Sequence, residues 1–140
     1  MPQVTILAVT RLNFLGTGIT PMLNIIPSIL DNPYDRTLVN LVYCNHTEND
    51  IAFRDLLNTY AAQYPHRFLV TYVVSKPSTT CALESGHINQ NICQKYLHSA
   101  DNSPQVLICG PQLMALQTIK IMKRLGHSHC NIYAFGITDR

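Results

Sequence analysis

Charged residues are scarce in this sequence, and neither sign of charge forms a block. Asp, Glu, Lys and Arg make up 13% of the 140 residues, the net charge is +2, and hydrophobic residues reach 46%. Lys120, Lys123 and Arg124 form a local basic cluster, but three positive charges on one helix are typical of a solvated face. The composition therefore predicts one folded domain with a substantial core, and it argues against nucleic acid as a partner.

Long apolar runs, a leader and paired cysteines are missing as well. No apolar stretch approaches the ~20 residues that cross a bilayer, so the sequence predicts no transmembrane segment. No basic residue precedes the apolar stretch VTILAV at residues 4–9, which argues against a secretory signal. Five cysteines, an odd number without a Cys-x-x-Cys pair, are typical of reduced thiols. These absences together predict a cytoplasmic location.

Apolar runs of strand length alternate with helical segments along the chain. The runs are nearly unbroken, as expected of parallel strands that are covered on both faces. The predicted strands are Thr10–Leu15, Leu38–Cys44, Phe68–Val74, Val106–Cys109 and Ile132–Phe135, and helices are predicted over 21–30, 47–63, 88–98 and 111–125. This pattern predicts an α/β fold of three layers, αβα, around a five-stranded parallel sheet that is Rossmann-like, with strand order 3-2-1-4-5.

Local signals predict the domain limits and the helix ends. The domain is predicted to cover residues 10–135, with residues 1–9 as an upstream remnant or an edge strand and residues 136–140 as a C-terminal tail. Thr20 is the predicted N-cap of the first helix, and Pro27 should kink or shorten that helix. A capping box at residues 47–50 should start the second helix, and Gly126 should follow the end of the fourth.

Glycines follow two strands that this order makes neighbours. Gly16 and Gly18 follow the first predicted strand, and Gly110 follows the fourth. Ligands of open parallel sheets bind beyond the carboxyl ends of the strands, where the order reverses, and glycine lets the backbone approach a pyrophosphate there. A lone Gly-x-Gly is more typical of a plain turn between strand and helix than of a nucleotide site. No Gly-Lys-Ser/Thr follows, and Met22 stands just after the place of a third glycine, so neither a Walker motif nor a GxGxxG fingerprint is present.

The order of four motifs is more specific than any one of them. The chain reads GTGITPM at residues 16–22, NHTENDIAFR at 45–54, GHIN at 86–89 and CGPQLM at 109–114. In this order the motifs resemble the pyridine-nucleotide domain of the ferredoxin-NADP reductase superfamily, most closely its cytochrome b5 reductase branch. The resemblance spans about residues 10 to 135.

This resemblance implies a role in hydride transfer. NADH or NADPH would dock here and pass a hydride to FAD on a separate domain, from which electrons would go to a haem-protein acceptor such as cytochrome b5. The resemblance implies no catalytic acid or base, but Thr17 and Cys109 would orient the flavin and the nicotinamide. The implied cofactor-binding residues are Gly16, Thr17, Gly18, Thr20, Pro21, Asn45, Ser75, Lys76, Cys109, Gly110, Pro111 and Met114.

The end of the third strand departs from the family. NADH-preferring members commonly carry an acidic residue there, which accepts hydrogen bonds from the ribose. This chain has Ser75-Lys76 instead, which removes a repulsion against a 2′-phosphate and adds a positive charge. The departure predicts that NADPH is accepted.

Other departures leave alternatives open. No flavin-binding half is recognisable in the sequence, so the chain is expected to be inactive without an FAD domain and to be half of a longer reductase or a short isoform. The alternative is a non-catalytic nucleotide-binding or interaction module that has lost its FAD domain. If the full-length protein carries a further segment that is missing from this sequence, that segment would place it at the cytosolic face of the endoplasmic reticulum. A metal site at His127, His129 and Cys130 is a weaker alternative, because no second pair of ligands stands at a suitable spacing.

Overall fold

The computed structural model describes residues 2–9, 19–80 and 82–136. The helices and strands of this part, in chain order, are β1 (Gln3–Val9), α1 (Met22–Leu30), β2 (Leu38–Asn45), α2 (Arg54–Gln63), β3 (Phe68–Val74), β4 (Glu84–Ser85), α3 (Gln90–Tyr96), β5 (Gln105–Cys109), α4 (Gln112–Arg124) and β6 (Ile132–Ala134). Single 3₁₀ turns lie at Glu48–Asp50, Ala100–Asn102 and His129–Asn131.

The strands form one parallel sheet in the order β4-β3-β2-β1-β5-β6. Without the two-residue β4, this is the predicted order 3-2-1-4-5, so the Rossmann-like prediction is confirmed with one added edge strand. The order changes direction at β1, because the chain builds the sheet from β1 to β4 on one side and then returns to add β5 on the other.

The first strand of the sheet lies earlier in the chain than the predicted one. Residues 10–15, where the first strand was expected, lie wholly within a segment, 10–18, that is outside the described residues. The strand at the centre of the sheet is β1, which pairs with both β2 and β5. Its residues Ile6, Leu7 and Ala8 are each 0% exposed, because helices cover both faces. Residues 3–9 are therefore neither a remnant nor an edge strand, and the domain begins before residue 10.

Helices cover the sheet on both faces, which gives the predicted three layers. On one face α1 and α2 bury Met22, Ile26 and Leu57 against the sheet. On the other face α3 and α4 bury Ile92 and Ile119. We call these the α1/α2 face and the α3/α4 face. The alternation of side chains along each strand decides which face a given strand residue meets.

The predicted helix ends are partly confirmed. Gly126 has φ +97°, and its N–H bonds the carbonyl of Lys123 while the N–H of His127 bonds that of Met122, which is the Schellman arrangement expected of a glycine after a helix. Thr20 is not the N-cap of α1, because Pro21 takes that position without a side-chain cap. Pro27 does not end this helix, which continues to Leu30.

The second helix begins later than predicted. The backbone N–H of Thr47 donates to Asp50 Oδ2 at 3.1 Å, so the capping interaction exists, but it starts only a 3₁₀ turn. The chain then passes through Phe53, whose φ of 61° is left-handed, before α2 starts at Arg54. A left-handed residue breaks the helical run, so the single predicted segment is divided into two.

Candidate functional site

The carboxyl edge of the sheet collects most of the predicted site residues. Ala8 of β1 is level with Tyr43 of β2 on one side and with Cys109 of β5 on the other. Strands β2 and β3 run two residues past this level and end at the pair Asn45 and Val74. Since the strand order changes direction at β1, the crevice is expected at this edge, next to the carboxyl ends of β1 and β5.

Three predicted residues cannot be placed. Gly16, Thr17 and Gly18 lie outside the described residues, so their roles stay predictions. The residues that follow them are anchored, because Ile19 and Met22 are each 0% exposed and belong to the core of the α1/α2 face. Thr20 is exposed and Pro21 is half-buried. The start of α1 is therefore fixed to the sheet, and the positive end of its dipole is directed toward the carboxyl edge.

Asn45 is the most unusual polar residue at this edge. Its side chain is 5% exposed, and neither its amide nitrogen nor its amide oxygen has a hydrogen-bond partner among the described residues. A buried amide without partners costs about 1–3 kcal/mol for each group, so such groups are rare in native proteins and call for an explanation, of which a ligand is one. By alternation with Tyr43, the Asn45 side chain projects into the α1/α2 face. It is placed to receive both a donor and an acceptor from a ligand.

The ends of β2 and β3 hold a second group of polar residues. His46 Nδ1 lies 3.1 Å from Ser75 Oγ. The backbone continues the ladder, since the N–H of Ser75 donates to Asn45 O at 3.0 Å and the N–H of Lys76 donates to His46 O at 2.8 Å. The Lys76 side chain is exposed. The sequence gives no sign of the contact between His46 and Ser75, because the two residues are 29 positions apart.

One carboxylate lies near this group. Glu48 Oε1 accepts a hydrogen bond of 2.8 Å from the N–H of Ser78, in the loop that follows Lys76. This acid is therefore held on the backbone of that loop. The side chains at the end of β3 itself, Ser75 and Lys76, carry no negative charge.

Cys109 ends β5 on the opposite side of the crevice. Its side chain is 7% exposed and belongs to the α1/α2 face. Burial raises the pKa of its thiol, so at neutral pH the group is an uncharged, weakly polar surface and not a nucleophile. Half-buried Gly110 and Pro111 follow it, and Pro111 caps α4.

Two further residues lie on the other face of the sheet from Cys109. Met114, a predicted site residue, is half-buried and packs against the core of the α3/α4 face, so the structure puts it on the other side of the sheet from the thiol. Cys44 belongs to the same core and is 6% exposed. Burial raises the pKa of its thiol to about 12, so Cys44 is a buried structural thiol.

The metal-site alternative finds no support in the described part of the chain. No three His, Cys, Asp or Glu side chains come together there in a way that could hold a metal ion. His127 is 7% exposed, whereas His129 and Cys130 are exposed, so the His-x-His-Cys sequence does not converge on one point. Likewise, no helix within the described ranges is both long and apolar enough to cross a membrane.

Comparison with known proteins agrees with this geometry. The family model of the oxidoreductase NAD-binding domain matches residues 15–120. NADH-cytochrome b5 reductase 1 of Debaryomyces hansenii is 40% identical over 112 residues, which are 80% of this chain and 39% of that protein. The plasma membrane-associated coenzyme Q6 reductase of Saccharomyces cerevisiae is 41% identical over 111 residues, 79% of this chain and 35% of that protein. The chain thus spans less than half the length of these relatives.

Solved structures give the same result. The cytochrome b5 reductase domain of Ulva prolifera nitrate reductase superposes with a TM-score of 0.84 at 28% identity, over 95% of this chain and 49% of that one. The CS-b5R domains of human Ncb5or in their NAD⁺ form give 0.78 at 29% identity, over 96% of this chain and 37% of that one. The chain belongs to the oxidoreductase NAD-binding domain family and is a cytochrome b5 reductase-like member of it.

Proposed function

We propose that this chain is the NAD(P)H-binding half of a cytochrome b5 reductase-like flavoprotein, and that it orients the nicotinamide for hydride transfer to FAD on a separate domain. The observation that carries this proposal is the buried, unpartnered amide of Asn45 at the carboxyl edge, beside the strand where the sheet order changes direction. A dinucleotide offers both donors and acceptors there, so the residues present fit such a ligand. When bound, the nicotinamide supplies the hydride, and the protein supplies orientation.

Each wall of the crevice has a distinct task in this proposal. Asn45 fixes the ligand by its two free hydrogen-bonding groups. Gly110 and Pro111 shape the opposite wall, and the uncharged thiol of Cys109 presents a water-poor surface to the ring. The start of α1 faces the pyrophosphate with its positive dipole end. The predicted contacts of Gly16, Thr17, Gly18, Thr20, Pro21 and Met114 belong to the same proposal.

The partners follow from the reaction. In this proposal FAD accepts the hydride, so the direct partner is an FAD-binding domain, in the same full-length chain or as a separate protein. The later electron acceptor is a haem protein such as cytochrome b5. Leu113, in the first turn of α4, is 76% exposed and is available for contact with such a partner. The proposed location is the cytosol, at the face of the endoplasmic reticulum if a further segment anchors the protein.

Reconstitution tests the proposed function. The chain is mixed with a recombinant FAD-binding domain of a cytochrome b5 reductase, and NADH-dependent reduction of a dye acceptor is followed. We expect reduction by the mixture and none by either part alone. Nucleotide binding without any electron transfer in the mixture would favour the alternative, a non-catalytic nucleotide-binding module. Absence of nucleotide binding would refute both functions.

NADPH acceptance is the second prediction about this site. Ser75 and exposed Lys76 stand at the end of β3, with His46 Nδ1 3.1 Å from the Ser75 hydroxyl. We expect the chain to bind NADPH and NADH with dissociation constants within about 5-fold of each other, which corresponds to a difference of about 1 kcal/mol. Ser75→Asp should weaken NADPH binding by about 10-fold and spare NADH, because it places a carboxylate near the 2′-phosphate.

Two lysine variants provide a further test of NADPH binding and its control. Lys76→Ala should weaken NADPH alone, whereas Lys120→Ala, which removes an exposed charge on α4, should change neither constant. The wild-type chain is measured by titration of the fluorescence of the reduced nucleotides. A preference of the wild type for NADH by two orders of magnitude would show that Ser75-Lys76 does not accommodate the phosphate.

A further inference from the structure

A second cavity opens at the amino edge of the sheet, on the opposite side of the molecule from the crevice. It has a volume of about 140 Å³ and lies between the C-terminal ends of α3 and α4, where it is lined by Cys93, Leu97, His98, Asp101, Leu125 and His127, among others. A cavity of about 150 Å³ holds a benzene molecule. This cavity therefore has room for a single small ring with a substituent that reaches toward solvent.

Two histidines give the cavity its hydrogen-bonding character. His127 is 7% exposed, and its Nδ1 has no partner among the described residues. His98 Nε2 lies 3.2 Å from the carbonyl oxygen of Leu38, and a carbonyl can only accept, so Nε2 carries the proton. In the neutral ring, Nδ1 of His98 is then an acceptor. Burial lowers the pKa of both rings, which keeps them uncharged at neutral pH.

Two further buried polar atoms lie on the same face of the sheet, on residues that do not line the cavity. Helix α3 packs on β2 and α4 packs on β5 and β6, so the space between the helices lies over β1, the strand between β2 and β5. Gln3 and Thr5 project to this face, as Leu7 does. Gln3 Oε1 and Thr5 Oγ1 are buried without partners among the described residues. Unsatisfied polar atoms therefore gather at the amino edge of the same face.

The charge of the lining selects among ligands. Asp101 is an acidic residue of the lining, and the described residues that line the cavity include no lysine or arginine. An anion would meet this acidic residue without a positive partner, and a purely apolar ring would leave the buried Nδ1 of His127 unsatisfied. A ligand with several N–H donors and a positive charge satisfies both requirements.

We propose that this cavity is a binding site for a small planar organic cation, of the amidinium or guanidinium class, that is separate from the nucleotide crevice. Its N–H groups donate to the acceptors of His98 and Asp101, and its ring or stem fills the space beside Leu97 and Leu125. The site reaches His127 at its buried end. An arginine side chain presented by a peptide offers the same head group on a longer, flexible stem, so the experiment includes that source.

Ligand titrations followed by NMR test the site. Benzamidine is compared with benzoate, which has the same shape and the opposite charge, and with N-acetylarginine amide as the peptide-borne guanidinium. We expect saturable shifts of the imidazole resonances of His98 and His127 and of the Leu125 methyl resonances with benzamidine, and none with benzoate. If only the arginine derivative gives saturable shifts, the occupant is an arginine side chain of a peptide and not a free small cation. No saturable shift with either cation, or equal binding of benzoate, would overturn the proposal.

Two variants at exposed positions test the location of the binding site. Asp101 is exposed, and Asp101→Asn should weaken benzamidine binding by about 3- to 10-fold, the effect of one partly screened charge at close range. Asp55→Asn, at an exposed position of α2 far from the cavity, should leave it unchanged. Equal effects of the two variants would refute the assignment. Saturating NADH should not displace benzamidine, so this result is independent of the outcome of the reconstitution.

Discussion

Replacing Ile6 with alanine is expected to lower the free energy of unfolding by about 2–5 kcal/mol. Ile6 is 0% exposed and lies at the middle of β1, between Leu41 of β2 and Leu107 of β5. The substitution removes buried methyl and methylene groups and leaves a cavity that the surrounding strands cannot close. Since the free energy of unfolding of a domain is only about 5–15 kcal/mol, this substitution removes a large part of the stability.

Urea denaturation at equilibrium provides the measurement, with Leu69→Ala as the matched control. Leu69 is an aliphatic residue of the same size in the same sheet, in β3, but its side chain is 59% exposed, so its loss should cost no more than about 0.5 kcal/mol. If residues 3–9 were an edge strand or a remnant, the two variants would behave alike. A cost at Ile6 as small as that at Leu69 would therefore contradict the central position of β1.

The central position of β1 is also the feature of the fold that the sequence was least able to predict. Leu38–Asn45 and Phe68–Val74 were predicted almost to the residue, because strands covered on both faces are continuous apolar runs. β1 has the same character, but two apolar runs precede the glycines, and their pattern alone does not say which one enters the sheet. β4 has only two residues and is too short to produce any pattern. Tertiary pairing, which is non-local, decides both cases.

The candidate site, too, could be predicted from the sequence only in part. Motif order was sufficient to predict that Asn45, Ser75 and Cys109 lie at one edge, because parallel strands carry their carboxyl ends to the same side. The contact between His46 and Ser75 and the missing partners of the Asn45 amide depend on how far β2 and β3 extend past β5. That length is set by strand register and not by local sequence, so only the structure reveals it.

Asn45→Leu is expected to affect nucleotide binding and stability in opposite directions. Leucine has nearly the shape of asparagine but needs no hydrogen bonds. Because the buried amide has no partner among the described residues, its removal should leave the free energy of unfolding unchanged or raise it by up to about 2 kcal/mol. The ligand loses two hydrogen bonds, so NADH binding should weaken by about 1–2 kcal/mol, a factor of about 5 to 30 in the dissociation constant.

Asn58→Leu is the matched control, because the amide of Asn58 already has its partner inside the protein. Asn58 Oδ1 accepts a hydrogen bond of 2.6 Å from the Tyr72 hydroxyl, at an exposed position of α2. Its loss should lower the free energy of unfolding by about 1 kcal/mol and leave the dissociation constant of NADH as it was. Urea denaturation and fluorescence titration measure the two quantities on the same samples. Loss of stability in Asn45→Leu with unchanged NADH binding would show that the buried amide serves the fold, and the crevice would then need another anchor for its ligand.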